Sequence, residues 1–458
     1  MSQFTISTPS LLSGQGIDVA STVQQLATAA RAPEQNWQNQ QQQIQSAEGA
    51  VYQINTDLAT LLDNANALQD VGGTLQGVAA TSSNSNIVTA TASSGASLGT
   101  HIVVVNNLAS TASYYSAAAN LKTTDTLGTG SFALTIGGNT QTINLNNQTL
   151  GQLATSINGM TVSGKPLGIT ASVITDSVGA HLVIVANNSG AAGAFTIDGT
   201  NAPGLGLAAG STGTDASATI DGVPVSSSNN TVSGVISGVT LQLQSKSNGQ
   251  EVRIQTQADT QSATQAVNSF VSAYNTIIQD LNSQFAVTQG TSGSVSSSPL
   301  EGDSTVRAVQ QQLLNYMTQT FGGSKADFST LGSLGISMND DGTLKVDATQ
   351  LSDAMNSDYQ GVVSFFQGTS GFATGLSSQL TQLTDPTKGA FNLDLKGMQS
   401  TYSSLQDNVD NLETYIATQQ QLWLQQYTQM NVALLQFPAQ QQEMDALFGT
   451  GAYSNSSK

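Results

Sequence analysis

The chain has 458 residues, 11 Lys plus Arg against 29 Asp plus Glu, and a formal net charge of −18. Such a balance argues against binding to nucleic acid, which runs on cations neutralising phosphates. The absence of cysteine excludes disulfides, thiolate zinc sites and cysteine nucleophiles.

Only 9% of residues are charged, against a usual value of about 25%. Asp18 is placed to cap a short helix over about 18 to 31, and Pro33 stands where a second helix can begin. From Trp37 an apolar seam runs through Ile44, Val51, Leu58 and Ala65, with Ala47, Ile54, Leu61 and Leu68 between them, until Gly72 and Gly73 stop it.

From about residue 78 to 257 short β-branched runs replace the heptads: Ile102 to Val105, Phe132 to Ile136, His181 to Val185, Val239 to Leu243 and Val252 to Ile254. Gly, Asn, Asp and Ser punctuate them, so the reading is strands joined by turns, with one helix near Leu150 to Ile157. Phe195 to Gly199 and Ala218 to Gly222 read as two copies of a strand followed by an Asp-Gly turn, marking related β-units.

Helical spacing resumes at Val267, Phe270, Val271, Tyr274, Ile277, Ile278 and Leu281, and after a Gly/Ser-rich loop at about 289 to 298 continues through Val306, Val309, Leu313, Leu314 and Met317. Asp341-Gly342 predicts a β-hairpin between Leu334 and Val346, followed by one helix over roughly 349 to 367. The last long helix carries a seam at Met398, Tyr402, Leu405, Val409, Leu412 and Ile416, which shifts phase to Leu424, Tyr427, Met430, Leu434 and Phe437 before Pro438 ends or kinks it.

No constellation of side chains amounts to an active site. His101 and His181 each open a β-branched run with no ligand spacing around them. Gly95-Ala96-Ser97-Leu98-Gly99 has the G-x-S-x-G spelling, but a strand follows the serine where a nucleophile elbow needs a helix. Asn339, Asp341 and Gly342 imitate part of a calcium loop, yet its first and twelfth positions would be Ser337 and Ala348. The expectation is a protein without enzymatic activity, cofactor, metal or membrane insertion.

The chain thus predicts an α+β multidomain fold: N- and C-terminal helices in an antiparallel coiled coil or bundle, with β-rich domains inserted, elongated overall. The expected divisions are an N-terminal helical segment 1–44; a helical core 45–77 plus 258–400; a β-rich domain 78–121 plus 213–257; an inserted outer β-rich domain 122–212; and a C-terminal coiled-coil segment 401–458. Both terminal segments are expected to be flexible in the monomer.

Several strings resemble the flagellar filament cap proteins, the flagellar hook-associated protein 2 or FliD family. They are Gly14-Gln15-Gly16-Ile17-Asp18-Val19, Ile220-Asp221-Gly222 with Ser228-Asn229-Asn230-Thr231 and Ile236 to Leu241, Phe270-Val271-Ser272-Ala273-Tyr274-Asn275, Gly302 to Arg307, and Leu334-Gly335-Ile336 with Asp341-Gly342-Thr343-Leu344. Their order runs over nearly the whole chain, and residues 122 to 212 carry the least of it.

The resemblance implies an extracellular protein at the distal tip of the flagellum, exported by the flagellar type III apparatus with a cytoplasmic chaperone. That route fits an N-terminus with no Sec-type signal. It implies a ring-shaped homo-oligomer of four to six subunits that promotes flagellin polymerisation, prevents flagellin leakage and meets hook–filament junction proteins. The residues expected to make oligomer or filament contacts are Leu11, Leu12, Ile17, Val19, Ile44, Val51 and Leu58 near the N-terminus, and Leu412, Ile416, Leu424, Leu434, Met444, Leu447 and Phe448 near the C-terminus. The alternative is another extracellular axial or adhesive fibre protein, such as a hook–filament junction protein or an adhesin.

Overall fold

The structure is a computed structural model and describes residues 17–118, 120–285, 288–289, 295–296, 298–321 and 328–448. Helix α1 (Val19–Ala30) begins where Asp18 places it, its carboxylate accepting from the Ser21 N–H at 3.1 Å. Helix α2 (Ala32–Gln69) follows at once, with Pro33 in its first turn, where a missing N–H costs nothing. It ends at Asp70, ahead of the two glycines.

Two β-units follow, every ladder in them antiparallel. In the inner unit a five-stranded sheet takes the order Val78–Ser82, Val252–Ala258, Gly99–Asn107, Ala216–Ile220, Val223–Ser227. It shares a core of Val103, Val105, Leu241 and Ile254 with a three-stranded sheet of Thr231–Ile236, Val239–Leu243 and Val88–Ala92. Asp221 and Gly222 both have positive φ, 49° and 84°, and make the tight hairpin turn their spelling predicts.

The outer unit packs a four-stranded sheet (Leu207–Ser211, Ser113–Ser116, Ala180–Ala186, Ile169–Thr175) and a three-stranded sheet (Phe195–Asp198, Ser131–Ile136, Asn139–Asn144) around Phe132, Leu153, Leu182 and Ile184. Helix α3 (Leu150–Asn158), opened by a Thr149–Gln152 capping box, completes its core. Ser113–Ser116, assigned to the inner unit by the sequence reading, pairs instead with Ala180–Ala186. Asp198-Gly199 makes no hairpin: Phe195–Asp198 pairs with Ser131–Ile136, far away in sequence, and the Asp198 carboxylate turns to the Thr200 N–H.

The chain then returns to helices: α4 (Thr260–Ser283), α5 (Ser304–Met317), α6 (Ala348–Ser357), α7 (Tyr359–Gln367), α8 (Phe372–Leu383) and α9 (Ala390–Phe448). Together with α2 they bury a continuous core from Ala47 to Leu395, in which the Phe372 ring lies 5.3 to 5.9 Å from those of Phe270, Phe365 and Phe366. The predicted hairpin, Ile336–Met338 with Leu344–Val346, docks on α4 through the neighbouring side chains of Tyr274 and Asn275 and, a few turns on, through Asn282, which donates to the Asp341 carbonyl at 2.9 Å. Tyr274 donates to the Gly342 carbonyl at 3.1 Å, and the Asn275 amide bonds both the N–H and the C=O of Leu344. Gly342 has φ 84°, and a Cβ there would stand 2.6 Å from Leu314, so the turn requires glycine.

Three helical expectations need correction. The single helix expected over 349 to 367 is two, because Asp358 leaves helical geometry and caps α7, its carboxylate accepting from the Gly361 N–H at 2.9 Å. Helix α8 had no counterpart in the sequence reading. Of the two outcomes expected at Pro438, an end or a kink, the end is excluded, since α9 runs on to Phe448; the carbonyl that loses its partner there lies on an exposed helix, where water can take the donor's place.

Candidate oligomer and filament interface

Side-chain contacts set α1 and the first half of α2 antiparallel to α9. From one end to the other, the Ile17 N–H donates to the Asn431 side chain at 2.7 Å and Arg31 pairs with Glu34 at 2.9 Å and reaches Glu413 at 3.7 Å. Gln41 and Gln45 then donate to Gln406 at 3.1 Å and to the Tyr402 hydroxyl at 3.2 Å. Beyond the helical core the described residues therefore form a two-helix leg.

Two helices can hide only one stripe each. Val23 and Ala27 of α1 are buried against α9, and Leu405, Val409 and Ile416 are buried on α9. Tyr415, Leu422, Leu424, Met430, Val432, Leu435 and Phe437 stay 41 to 65% exposed. No charged residue occurs between Glu413 and Glu443. The exposed apolar side chains of this uncharged stretch therefore face several sides of α9, and exposed apolar surface of this kind is a feature of interaction sites.

The residues expected at an interface divide accordingly. Val51 and Leu58 are fully buried in the chain's own core, and Ile416 is 1% exposed beneath α1; these three are corrected to internal packing, because a heptad seam has the same spacing whether its partner is the same chain or another. Ile17, Val19, Ile44, Leu412 and Leu434 are partly buried along the leg. Leu424, Met444 and Leu447 are 50, 59 and 75% exposed. Leu11 and Leu12 lie outside the described residues, as does the Phe448 side chain at the end of α9. Tyr415, Leu422, Val432 and Leu435 are exposed on the same charge-free stretch and were not among the expected residues.

The polar motifs take structural roles. His101 Nδ1 lies 2.7 Å from Asp221, whose other oxygen accepts from the Ile102 N–H; the histidine and that N–H hold the carboxyl below its usual range. His181 Nδ1 lies 2.6 Å from the Ser116 carbonyl, and this bond is the main reason its imidazole titrates above its ordinary value, with Asp176 at 3.3 Å adding to it. The Ser97 carbonyl accepts from the Thr256 hydroxyl at 2.7 Å, ahead of the strand Gly99–Asn107. Asp341, the calcium-like residue, turns to its own Thr343 N–H. Among the described residues no three His, Cys, Asp or Glu are grouped to hold a metal, and no helix is long and apolar enough to cross a membrane.

Comparison with known proteins matches residues 15–112 to the family described as Flagellar hook-associated protein 2 N-terminus and residues 213–438 to Flagellar hook-associated protein 2 C-terminus. The chain is 29% identical over 371 residues to the B-type flagellar hook-associated protein 2 of Pseudomonas aeruginosa PAO1, covering 75% of this chain and 77% of that one. It is 27% identical over 447 residues to the flagellar hook-associated protein 2 of Escherichia coli K12, covering 92% and 94%. Its fold is similar to the crystal structure of the D1-D2-D3 domains of the flagellar cap protein FliD from Escherichia coli, with a TM-score of 0.58 and 23% identity over 76% of this chain and 99% of that one.

Proposed function

The chain belongs to the flagellar hook-associated protein 2 family, and from that premise we propose that it caps the flagellar filament. It oligomerises at the distal tip, holds exported flagellin there and promotes its polymerisation, so that subunits insert instead of escaping. The work is done by contacts made and released, and needs no covalent step.

The observation that carries this reading is the two-helix leg, whose uncharged, apolar surface exceeds what its own two helices can hide. In the capping role the leg reaches down among helices of neighbouring subunits and of the filament end, while the β-units form the plate above. Leu424, Leu434, Met444 and Leu447, with Ile17, Val19, Ile44 and Leu412 beside them, supply the contacts. Four to six copies close the ring, hook–filament junction proteins give it its first platform, and the chain leaves the cell through the flagellar type III apparatus with a cytoplasmic chaperone.

The test is deletion of the gene in its host, with electron microscopy of the cells and an assay of flagellin in the medium. Hooks without filaments and monomeric flagellin in the medium are expected. Normal filaments on motile cells would overturn the assignment and favour an accessory fibre.

A further inference from the structure

The two-helix leg has two unlike flanks. On one of them α1 and α9 enclose a groove of about 590 Å³, lined by Ala20, Val23, Ala417 and Leu424 and by the amides of Gln24 and Gln420. Ala20, Ala417 and Leu424 are exposed along it. The methyl groups of the two alanines leave a third helix room to approach to about 8 Å, the near limit of helix packing.

Tyr415, Leu422 and Met430 of α9, which are 56, 44 and 41% exposed, stand outside that groove. They recur after seven and eight residues, so at about 100° per residue they keep within about 80° of one another around the helix. Ala417 comes two residues after Tyr415, and Leu424 two after Leu422. Each step turns the helix by about 200° and advances it by only about 3 Å. The large side chains therefore project from the flank opposite the groove, at the same height on the leg.

Both flanks are without charge, since α1 has no ionisable residue from Val19 to Ala30 and α9 has no charged one between Glu413 and Glu443. Groove and large side chains of one chain face away from each other and cannot meet. Those of two chains standing side by side can. Because both lie at one height, the operation that joins them is a rotation with no shift along the leg. Such a head-to-tail contact closes into a ring, whereas one that needed an axial shift would run on as a filament. A flank paired with its own copy would leave the groove empty and set bulky side chains against each other.

We propose that α9 of one subunit seats Tyr415, Leu422 and Met430 in the groove between α1 and α9 of the next, so that neighbouring legs interlock around the ring. The proposal rests on the capping reading, which brings several copies to one tip, and assigns a contact between them to the leg.

The test uses the absence of cysteine from the chain. Full-length Leu422→Cys, Leu424→Cys and the double variant each replace the native gene in its host. Filament-bearing cells are oxidised with copper phenanthroline and blotted after denaturation without reductant. Within one chain the two thiols point to opposite flanks and cannot bridge. The double variant should give a ladder of dimers, trimers and larger species that stops at the ring size, and each single variant only monomer. Dimers from a single variant would show a flank meeting its own copy and overturn the proposal. Monomer alone from the double variant, on cells that still grow filaments, would also overturn it and leave the capping reading standing. If the thiols stop filament growth, oxidation of the concentrated, purified double variant decides by the same patterns. As a second readout, Ala417→Trp fills the groove and should reduce the assembled mass in light scattering to that of the monomer. Unchanged assembly with loss of filaments would give the groove to a filament helix instead and overturn the self-contact.

Discussion

Replacing Ile416 by alanine tests whether α1 is held to α9 by the buried stripe and by little else. Ile416 lies between the Arg31–Glu413 and Ile17–Asn431 contacts, under α1, and is 1% exposed. On its side of the interface α1 buries only Val23 at 7% and Ala27 at 4% exposure. Isoleucine-to-alanine changes in cores cost about 2–5 kcal/mol. The low end, about 2–3 kcal/mol, applies here because an interface of two helices can collapse onto the gap. Since each 1.4 kcal/mol is a factor of ten, amides of Val19–Ala30 should exchange hydrogen about 30- to 100-fold faster in the variant. Hydrogen exchange read by mass spectrometry on the monomer measures this directly. Peptides from α4 should keep their wild-type protection, because Ile416 is outside the core that spans Ala47 to Leu395. Unchanged exchange in α1, or an equal loss in α4, would refute the reasoning.

Removing residues 1–36 and 439–458 together should leave a soluble fragment that melts cooperatively but fails to restore filaments in a deletion strain; a broad, non-cooperative melt would count against it. The Asn158 side chain bonds the N–H and C=O of Ala171 at 2.7 and 2.8 Å and so occupies part of the free edge of Ile169–Thr175. Asn158→Ala should cost the outer unit about 1–3 kcal/mol and speed aggregation in light scattering, and equal stability would exclude that role. The His181 imidazole should titrate above 6.5 by NMR, chiefly through its bond to Ser116. Since the folded value is raised, whatever that contact contributes is present below 6.5 and lost as the pH passes through the folded value, and a titration at or below 6.5 would reject it.

What could be read in advance was whatever short-range chemistry decides. The Asp18 cap, the α2 seam, the run from Val239 to Leu243 and the Asp221-Gly222 turn all appear where their spelling puts them. Asp198-Gly199 has the same spelling and a different outcome. Val223, Pro224 and Val225 extend after one turn, whereas Thr200-Asn201-Ala202-Pro203 follows the other, and the strand before it is claimed by Ser131–Ile136. Helix α8 was invisible for a related reason. Its Gly375, Ser377, Ser378 and Thr381 are weak helix formers, and it is helical because Phe372, Leu376 and Leu380 fit a core assembled from six other helices.

The interface posed a harder problem than the fold, since heptad spacing states that a stripe will be covered and is silent about what covers it. Val51 and Leu424 satisfy the same rule, yet the first is sealed by the chain's own helices and the second is half in water. The difference lies in how many helices are at hand. Along the core α2 has α4, α8 and α9 around it, whereas past Leu405 the described chain offers only α1 and the first turns of α2 opposite α9. With charge absent between Glu413 and Glu443, that stretch carries no ionic code to restrict its partners. Under the proposed capping role such a surface suits the holding of a succession of similar helices without binding any of them for good, because apolar and amide contacts can be exchanged one for another without stranding a buried charge.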